Sequence, residues 1–347
     1  MVVALYVSGH GFGHASRVTA LIDAVAALRP DARFVVRTAA PPWLFHLAAC
    51  PSIDVQPFDA DPGVVQLDDM TFDDVETVGR AARFYRAFDR LADEEAARLR
   101  DMGARLVVGD IPPLAFAAAD AAGLPSVALG NFTWDWIYGA TPAFAREAPE
   151  VIRVVQGAYA RASLTLRLPM HGGFDATPGV LDIPFIVRRS TRDRDEVRRA
   201  LGLEGHRPVV LASFSWRGVR PPCDEIARSG RFALITPAQP AGFRHEDLVA
   251  AADVVVSKPG YGIISECLAG GAALVYTTRG PFIEHDMLIA EMPTFVRCRR
   301  LSFEDLLAGR WDEAIDEVLA RPAPASRAAL NGAEVAAQLI NSAIDQR

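Results

Sequence analysis

Two histidines and three glycines fall within one short stretch, Ser8-Gly9-His10-Gly11-Phe12-Gly13-His14. Glycine lets backbone N–H groups approach a ligand closely, and histidine titrates near neutral pH. Together they suit proton transfer beside a bound anion. A second such stretch is Ser257-Lys258-Pro259-Gly260-Tyr261-Gly262, followed shortly by Ser265-Glu266. Lys258 is the only lysine in an arginine-rich chain. It marks a place where a compact ammonium suits better than a planar guanidinium, either against phosphate or in a salt bridge or cap. Glu266 has two readings: a carboxylate that accepts from a ribose diol, or a plain complement to a helix dipole.

For a general base, His14 is the first candidate and Asp110 the second, with His10 earlier in the turn and less suited. Asp110 ends the run Arg105-Leu106-Val107-Val108-Gly109 and precedes Pro112-Pro113. It can instead orient a histidine. Asn131, Trp134, Trp136 and Tyr138 cluster after Ser126–Leu129 and read as an acceptor wall, with core packing as the competing explanation. Ser213-Phe214-Ser215-Trp216-Arg217-Gly218 follows another apolar run and offers donors, Ser215 among them, to a diphosphate.

These groups must be carried by strands that end in loops opening onto helices. Val2–Val7 is a strand and Ala15–Leu28 a helix, so the glycine-rich loop sits at a strand's carboxyl end and a helix N-terminus, which favours anions. Further strands are read at Arg33–Thr38, Ile53–Pro57, Arg105–Gly109, Ser126–Leu129 and Ser163–Leu168, with helices at Pro42–Ala49, Asp74–Met102 and Leu114–Ala122. Pro169–Pro184 reads as an interdomain linker. A second alternation follows. Its strands are Pro208–Ser213, Phe232–Ile235, Asp253–Ser257 and Ala273–Tyr276, and its helices Arg194–Leu201 and Gly262–Leu268. Short apolar strands between helices predict parallel sheets covered on both faces. The expected class is α/β, with two Rossmann-like domains at 1–184 and 185–325 facing across a cleft. A helical tail, 326–347, is expected to pack back on the first.

At 347 residues the chain suits two domains, and half hydrophobic with under a quarter charged is a globular composition. A net charge of −7 offers no basic field for nucleic acid. Cys50, Cys223, Cys267 and Cys298 have neither metal-ligand nor disulfide spacing, and His46, His171, His206 and His245 form no ligand set. Asp59-Ala60-Asp61 reads as a solvated turn, so no metal site is expected. The apolar N-terminus lacks a basic leader, and no apolar run reaches membrane-spanning length. A cytoplasmic location is expected, with peripheral membrane contact left open and the oligomeric state unspecified. Gly9-x-Gly11-x-Gly13 is not the dinucleotide fingerprint, and the Walker P-loop spacing is absent.

SGHGFGHASR, NFTWDWIY at Asn131–Tyr138 and SKPGYGIISE at Ser257–Glu266 together resemble the glycosyltransferase-like proteins related to the N-terminal domain of plant L-arabinokinase. More widely they resemble GT-B glycosyltransferases, including the N-acetylglucosaminyltransferase that forms lipid II. The resemblance implies an inverting transfer from a nucleotide-diphosphate sugar, with uridine as the expected base and a hexosyl or N-acetylhexosaminyl group. It implies a small-molecule or lipid-linked acceptor and no cofactor or metal. Glu266 then matches the ribose-binding acid, Gly260 to Gly262 the helix start near the diphosphate, His285 and Asp286 the loop reaching the donor sugar, and His14 the last histidine of the first loop. Ser213 to Gly218 departs from the family, which often has paired glycines there. Two alternatives stand beside transfer: a non-catalytic nucleotide-sugar-binding or regulatory protein, and a nucleotide-sugar hydrolase or epimerase on the same fold.

Overall fold

A computed structural model describes residues 1–68, 70–203, 205, 207–214, 219–236, 242–278 and 280–345. The chain forms two compact units. Unit 1 comprises Met1–Val65, Asp73–Ile186 and Ala329–Arg347, and unit 2 comprises Gln66–Phe72 and Val187–Ala328.

Unit 1 is organised on β1 (Val2–Val7), β2 (Arg33–Thr38), β3 (Ile53–Pro57), β4 (Ala104–Asp110), β5 (Ser126–Phe132), β6 (Leu164–Gly172) and β7 (Val180–Asp182). The sheet order is β3-β2-β1-β4-β5-β6-β7, and every neighbouring pair is parallel. Strand order reverses between β1 and β4, the place where open α/β sheets bind ligands beyond their carboxyl ends. The central strands are apolar and buried on both faces, as parallel strands covered by helices must be.

Three sequence expectations change in unit 1. The single helix expected over Asp74–Met102 is two, Asp74–Arg86 and Phe88–Asp101, separated where Ala87 leaves helical geometry at ψ 7°. The break lets Tyr85 and Phe88 both turn inward, their rings 5.4 Å apart. Pro42–Ala49 is a 3₁₀ helix over Pro42–Leu47. The stretch read as a linker, Pro169–Pro184, continues β6 and supplies the edge strand β7, and the main body of unit 2 begins only after Ile186. The tail forms the helix Gly332–Asp345 within unit 1, where Arg29 donates to Asn341. Gly332 is required by close approach. Its N–H donates to the Phe185 carbonyl at 3.0 Å, and a Cβ there would lie 2.1 Å from the Pro184 carbonyl oxygen.

Unit 2 contains β8 (Val209–Ser213), β9 (Ala233–Ile235), β10 (Val254–Ser257), β11 (Ala273–Tyr276) and β12 (Cys298–Arg300), in the parallel order β12-β11-β10-β8-β9. Its core holds Val210, Val254, Val275 and Trp311, and also Met70 from the short segment Gln66–Phe72. Among the described residues, no helix is long and apolar enough to cross a membrane.

Candidate functional site

In unit 1 the site is set by register. Val7 of β1 pairs with Asp110 of β4, and the Ser8 N–H donates to the Asp110 carbonyl at 2.8 Å. The loop after β1 and the carboxylate that ends β4 therefore meet at the carboxyl end of the sheet. Gly11 has φ +80°, a conformation L side chains rarely adopt, and it starts the helix Phe12–Leu28. That start carries His14 inward and leaves Gly9, Gly11, Phe12 and Gly13 exposed.

His14 Nδ1 lies 2.9 Å from Asp110 Oδ1. A carboxylate only accepts, so the ring donates from Nδ1, and Nε2 is left as the basic nitrogen. Arg17, one turn further along the same helix, donates to both Asp110 oxygens at 2.6 and 2.5 Å and to Asn131 Oδ1 at 2.7 Å. Arg17 Nη2 also lies 3.0 Å from His14 Nδ1, but two donors cannot bond each other, so both protons serve Asp110. Burial alone would raise the Asp110 carboxyl. Arg17 first, then His14, outweigh it and hold the group below the usual carboxylate range. The arrangement is a histidine fixed in one tautomer by a buried, charge-compensated acid.

Asp61 corrects the reading of Asp59-Ala60-Asp61 as a solvated turn. Asp59 is exposed, whereas Asp61 is buried, accepting from Ser8 Oγ at 3.2 Å and Trp134 Nε1 at 3.1 Å. Desolvation pushes its carboxyl up to about 6, against smaller opposing effects of Ser8, His14 and Trp134. His10 sits edge-on to Trp134, with ring centroids 5.6 Å apart.

The acceptor wall also needs correction. Trp134 and Tyr138 are 0% exposed and stack on each other, and Tyr138 also stacks on Phe144, as core. Asn131 is 1% exposed and holds Arg17. Trp134 reaches the site through Asp61 and Asn131 through Arg17, while the Tyr138 hydroxyl donates to the Gly63 carbonyl. Only Trp136 keeps partial exposure. The open aromatic surface beside the glycine-rich loop is instead Phe12 with Trp43, 47% and 51% exposed and edge-to-face at 5.9 Å.

In unit 2, Ser257 at the end of β10 is in register with Ser213 at the end of β8, and Ser257 Oγ donates to the Ser213 carbonyl at 2.7 Å. The helix Tyr261–Gly270 starts from Gly260 in extended backbone and buries Tyr261 and Glu266, while Gly260, Gly262 and Lys258 are half-buried. Glu266 Oε2 lies 2.7 Å from His245 Nδ1, and its Oε1 lies 3.7 Å from Arg188 Nη2. Burial would raise the carboxyl, but His245 and then Arg188 outweigh it and hold it low. Arg188 Nε and Nη1 are buried with no acceptor among the described residues.

The expected polar loop through Asp286 is shorter than read, because Ile283–Glu291 is a helix. Asp286 on it is exposed. His285 is buried, with Phe72 and Phe282 rings at 6.2 and 5.0 Å. Burial, and then the Lys258 charge, push His285 down to about 4, so it is neutral at neutral pH. Ser215, like Trp216, Arg217, Gly218, His206 and Arg279, lies outside the described residues. Among the described residues no group of three or more His, Cys, Asp or Glu has metal-binding geometry.

Sequence reasoning gave no site role to Arg17, Asp61, Arg188 or His245. Arg17 stands three positions after His14, a spacing that places two side chains on one helix face and was the available signal. Nothing in the local sequence joins His245 to Glu266.

No family model matches the chain. It is 30% identical to an L-arabinokinase of Arabidopsis thaliana over 98% of its own length, and it spans 34% of that protein. Among solved structures it resembles the glycosyltransferase of kitacinnamycin (TM-score 0.63, 16% identity, 99% of this chain and 98% of that one). It also resembles a UDP-glucosyltransferase from Polygonum tinctorium capable of glucosylating indoxyl (TM-score 0.60, 12% identity, 99% and 92%). A third is a transferase from Siraitia grosvenorii in complex with UDP (TM-score 0.53, 14% identity, 100% and 95%). At these identities the likeness is one of fold.

Proposed function

We propose that this chain, which has the GT-B glycosyltransferase fold and is homologous along nearly its whole length to one third of an L-arabinokinase, is itself a glycosyltransferase. The donor is a nucleotide-diphosphate sugar, with uridine as the base. Unit 2 holds it, with Glu266 on the ribose and Lys258 with the helix start at Gly260-Tyr261-Gly262 on the diphosphate. Asp286 and neutral His285 lie nearest the donor sugar. Unit 1 holds the acceptor, with Phe12 and Trp43 as its stacking surface.

The observation that carries this reading is the His14–Asp110 pair in a chain of this fold. His14 Nε2 takes the proton of the acceptor hydroxyl as its oxygen attacks the anomeric carbon, and Asp110 steadies the imidazolium that forms. The bond to the diphosphate breaks, and the leaving charge falls to Lys258 and the helix N–H groups. One displacement inverts the anomeric centre. Because these groups meet the leaving charge, no metal is required. Hexosyl and N-acetylhexosaminyl donors are the classes to screen.

The match to L-arabinokinase favours a second reading, a nucleotide-sugar-binding unit without turnover of its own. Release of UDP from a panel of UDP-sugars separates the cases. UDP freed only when an acceptor is added supports transfer. Release without acceptor supports a hydrolase, and tight calorimetric binding without turnover supports the binding unit.

A further inference from the structure

His245 joins two groups that belong to different parts of unit 2. Its Nδ1 lies 2.7 Å from Glu266 Oε2, and its Nε2 lies 2.9 Å from Ser213 Oγ. Ser213 closes β8 and Glu266 lies on the helix Tyr261–Gly270, so one imidazole spans from a strand end to a helix face. We propose that His245 is a positioning residue which, by donating from Nε2, turns the Ser213 hydroxyl proton outward to an oxygen of a nucleoside diphosphate, so that diphosphate recognition and the Glu266 carboxylate are coupled through one ring. This rests on the reading of unit 2 as the nucleotide-sugar unit.

The argument is one of proton counting. Glu266 only accepts, so Nδ1 carries a proton whichever state the ring is in. In the neutral ring Nε2 is then an acceptor, and Ser213 spends its single proton on it. In the charged ring Nε2 is a donor. Ser213 Oγ accepts that bond, and its own proton is available to an anionic ligand. A diphosphate oxygen therefore selects charged His245, and binding draws a proton onto the ring wherever it is neutral beforehand.

The surroundings favour the charged form. Burial lowers the ring, but Glu266, through charge and hydrogen bond, outweighs it and His245 stands raised. Glu246 adds to this from the same helix, and Arg188 opposes it from the segment before the helix Arg194–Ala200. Arg244 and Asp247 are the remaining charges of its own turn: Arg244 Nη1 lies 3.9 Å from Glu246 Oε1, and the Arg244 backbone N–H donates to Asp247 Oδ2 at 3.0 Å. The side chain is 38% exposed, so the ring exchanges protons with solvent.

The test is calorimetric titration of UDP into the full chain at about pH 6.5 and about pH 8.5, in buffers of different ionisation enthalpy. Wild type, His245→Asn and Ser213→Ala are compared. The terminal phosphate of UDP titrates in all three, so the readout is the difference between wild type and variants. The expected result is extra proton uptake by wild type, up to one proton. Its affinity falls more steeply with pH than that of His245→Asn, by at most about tenfold per pH unit. Ser213→Ala binds more weakly at the lower pH and loses the excess slope. If His245→Asn does not fold, Ser213→Ala carries the comparison, since it leaves the ring–Glu266 pair intact. Equal slopes and equal proton uptake in wild type and variants, with UDP bound, overturn the coupling alone. No UDP binding to wild type at either pH overturns the nucleotide-site reading, and the coupling with it.

Discussion

Asp110 stands 2.9 Å from His14, and the same carboxylate also binds Arg17 through both of its oxygens. An acid that orients a histidine is thus shared with a guanidinium three positions along the same helix. The sharing separates two effects that mutation can read independently, orientation of the ring and compensation of a buried charge.

Replacing His14 by alanine removes the proposed base and nothing from unit 2. Transfer is expected to fall by about 10²- to 10⁴-fold. UDP affinity, measured by calorimetry, is expected to stay within about twofold of wild type. Full turnover by His14→Ala would remove the assignment.

Arg17→Met strands Asp110 without its main partner. Arg17 and Asp110 are 4% and 1% exposed, so the charge left behind is buried and the cost is on the order of 3–5 kcal/mol. Arg17→Lys keeps the charge but loses the two-pronged contact, and about half that cost is expected. Urea unfolding measures both. Equal stability of Arg17→Met and wild type would mean that Asp110 is protonated or solvated in the native state.

Two buried acids of unit 1, Asp110 and Asp61, depend on pH in opposite directions. Asp110 is held below its unfolded value, so its stabilisation is present above the ordinary carboxylate range and is lost as pH falls through the lower folded value. Asp61 is pushed up to about 6, so its native form binds a proton more tightly than the unfolded chain does. Its contribution is then best at low pH and declines as pH rises from about 4 to about 6, by roughly 3 kcal/mol. Between about pH 4 and about pH 7 the stability of Asp61→Asn should gain on wild type by that amount. Denaturation midpoints at the two pH values test this, and an unchanged gap would place Asp61 in the ordinary range.

Glu266→Gln keeps the shape but removes the charge that pairs with His245 and Arg188. UDP affinity is expected to drop at least about tenfold, as for loss of a charged hydrogen-bond acceptor. An unchanged affinity would return Glu266 to the dipole role.

Gly332→Ala sets a Cβ 2.1 Å from the Pro184 carbonyl oxygen, a backbone atom that cannot swing away. A loss of about 2 kcal/mol or more and faster proteolysis at the tail are expected. Alanine at Gly13, where a Cβ meets nothing within 4 Å, is the control.

Much of the frame was legible in the sequence because short buried strands are written locally. Val2–Val7, Arg33–Thr38, Ile53–Pro57 and Ala273–Tyr276 form with the bounds their apolar runs predict. The start at Asp74 was legible too, but the end at Arg86 was not, since Ala87 breaks the helix where rings on both sides of it are buried. The pairing of Asp110 with a histidine was readable from two strand ends. The burial of Asp61, Trp134 and Tyr138 was not: a Pro/Gly-flanked aspartate and an aromatic cluster look alike in sequence whether they face solvent or each other. His245 was invisible for a different reason. Its partners, Ser213 and Glu266, lie on a strand and a helix that only the sheet order brings beside it.

The chain passes from one unit to the other after Val65, Phe72, Ile186 and Ala328. Recombination between relatives therefore cannot exchange either unit at a single joint. A crossover at Ile186 would import a unit 2 core lacking its own Met70 and would leave unit 1 with a foreign closing helix. A unit keeps its own core and closing helix only where its separate segments are exchanged together.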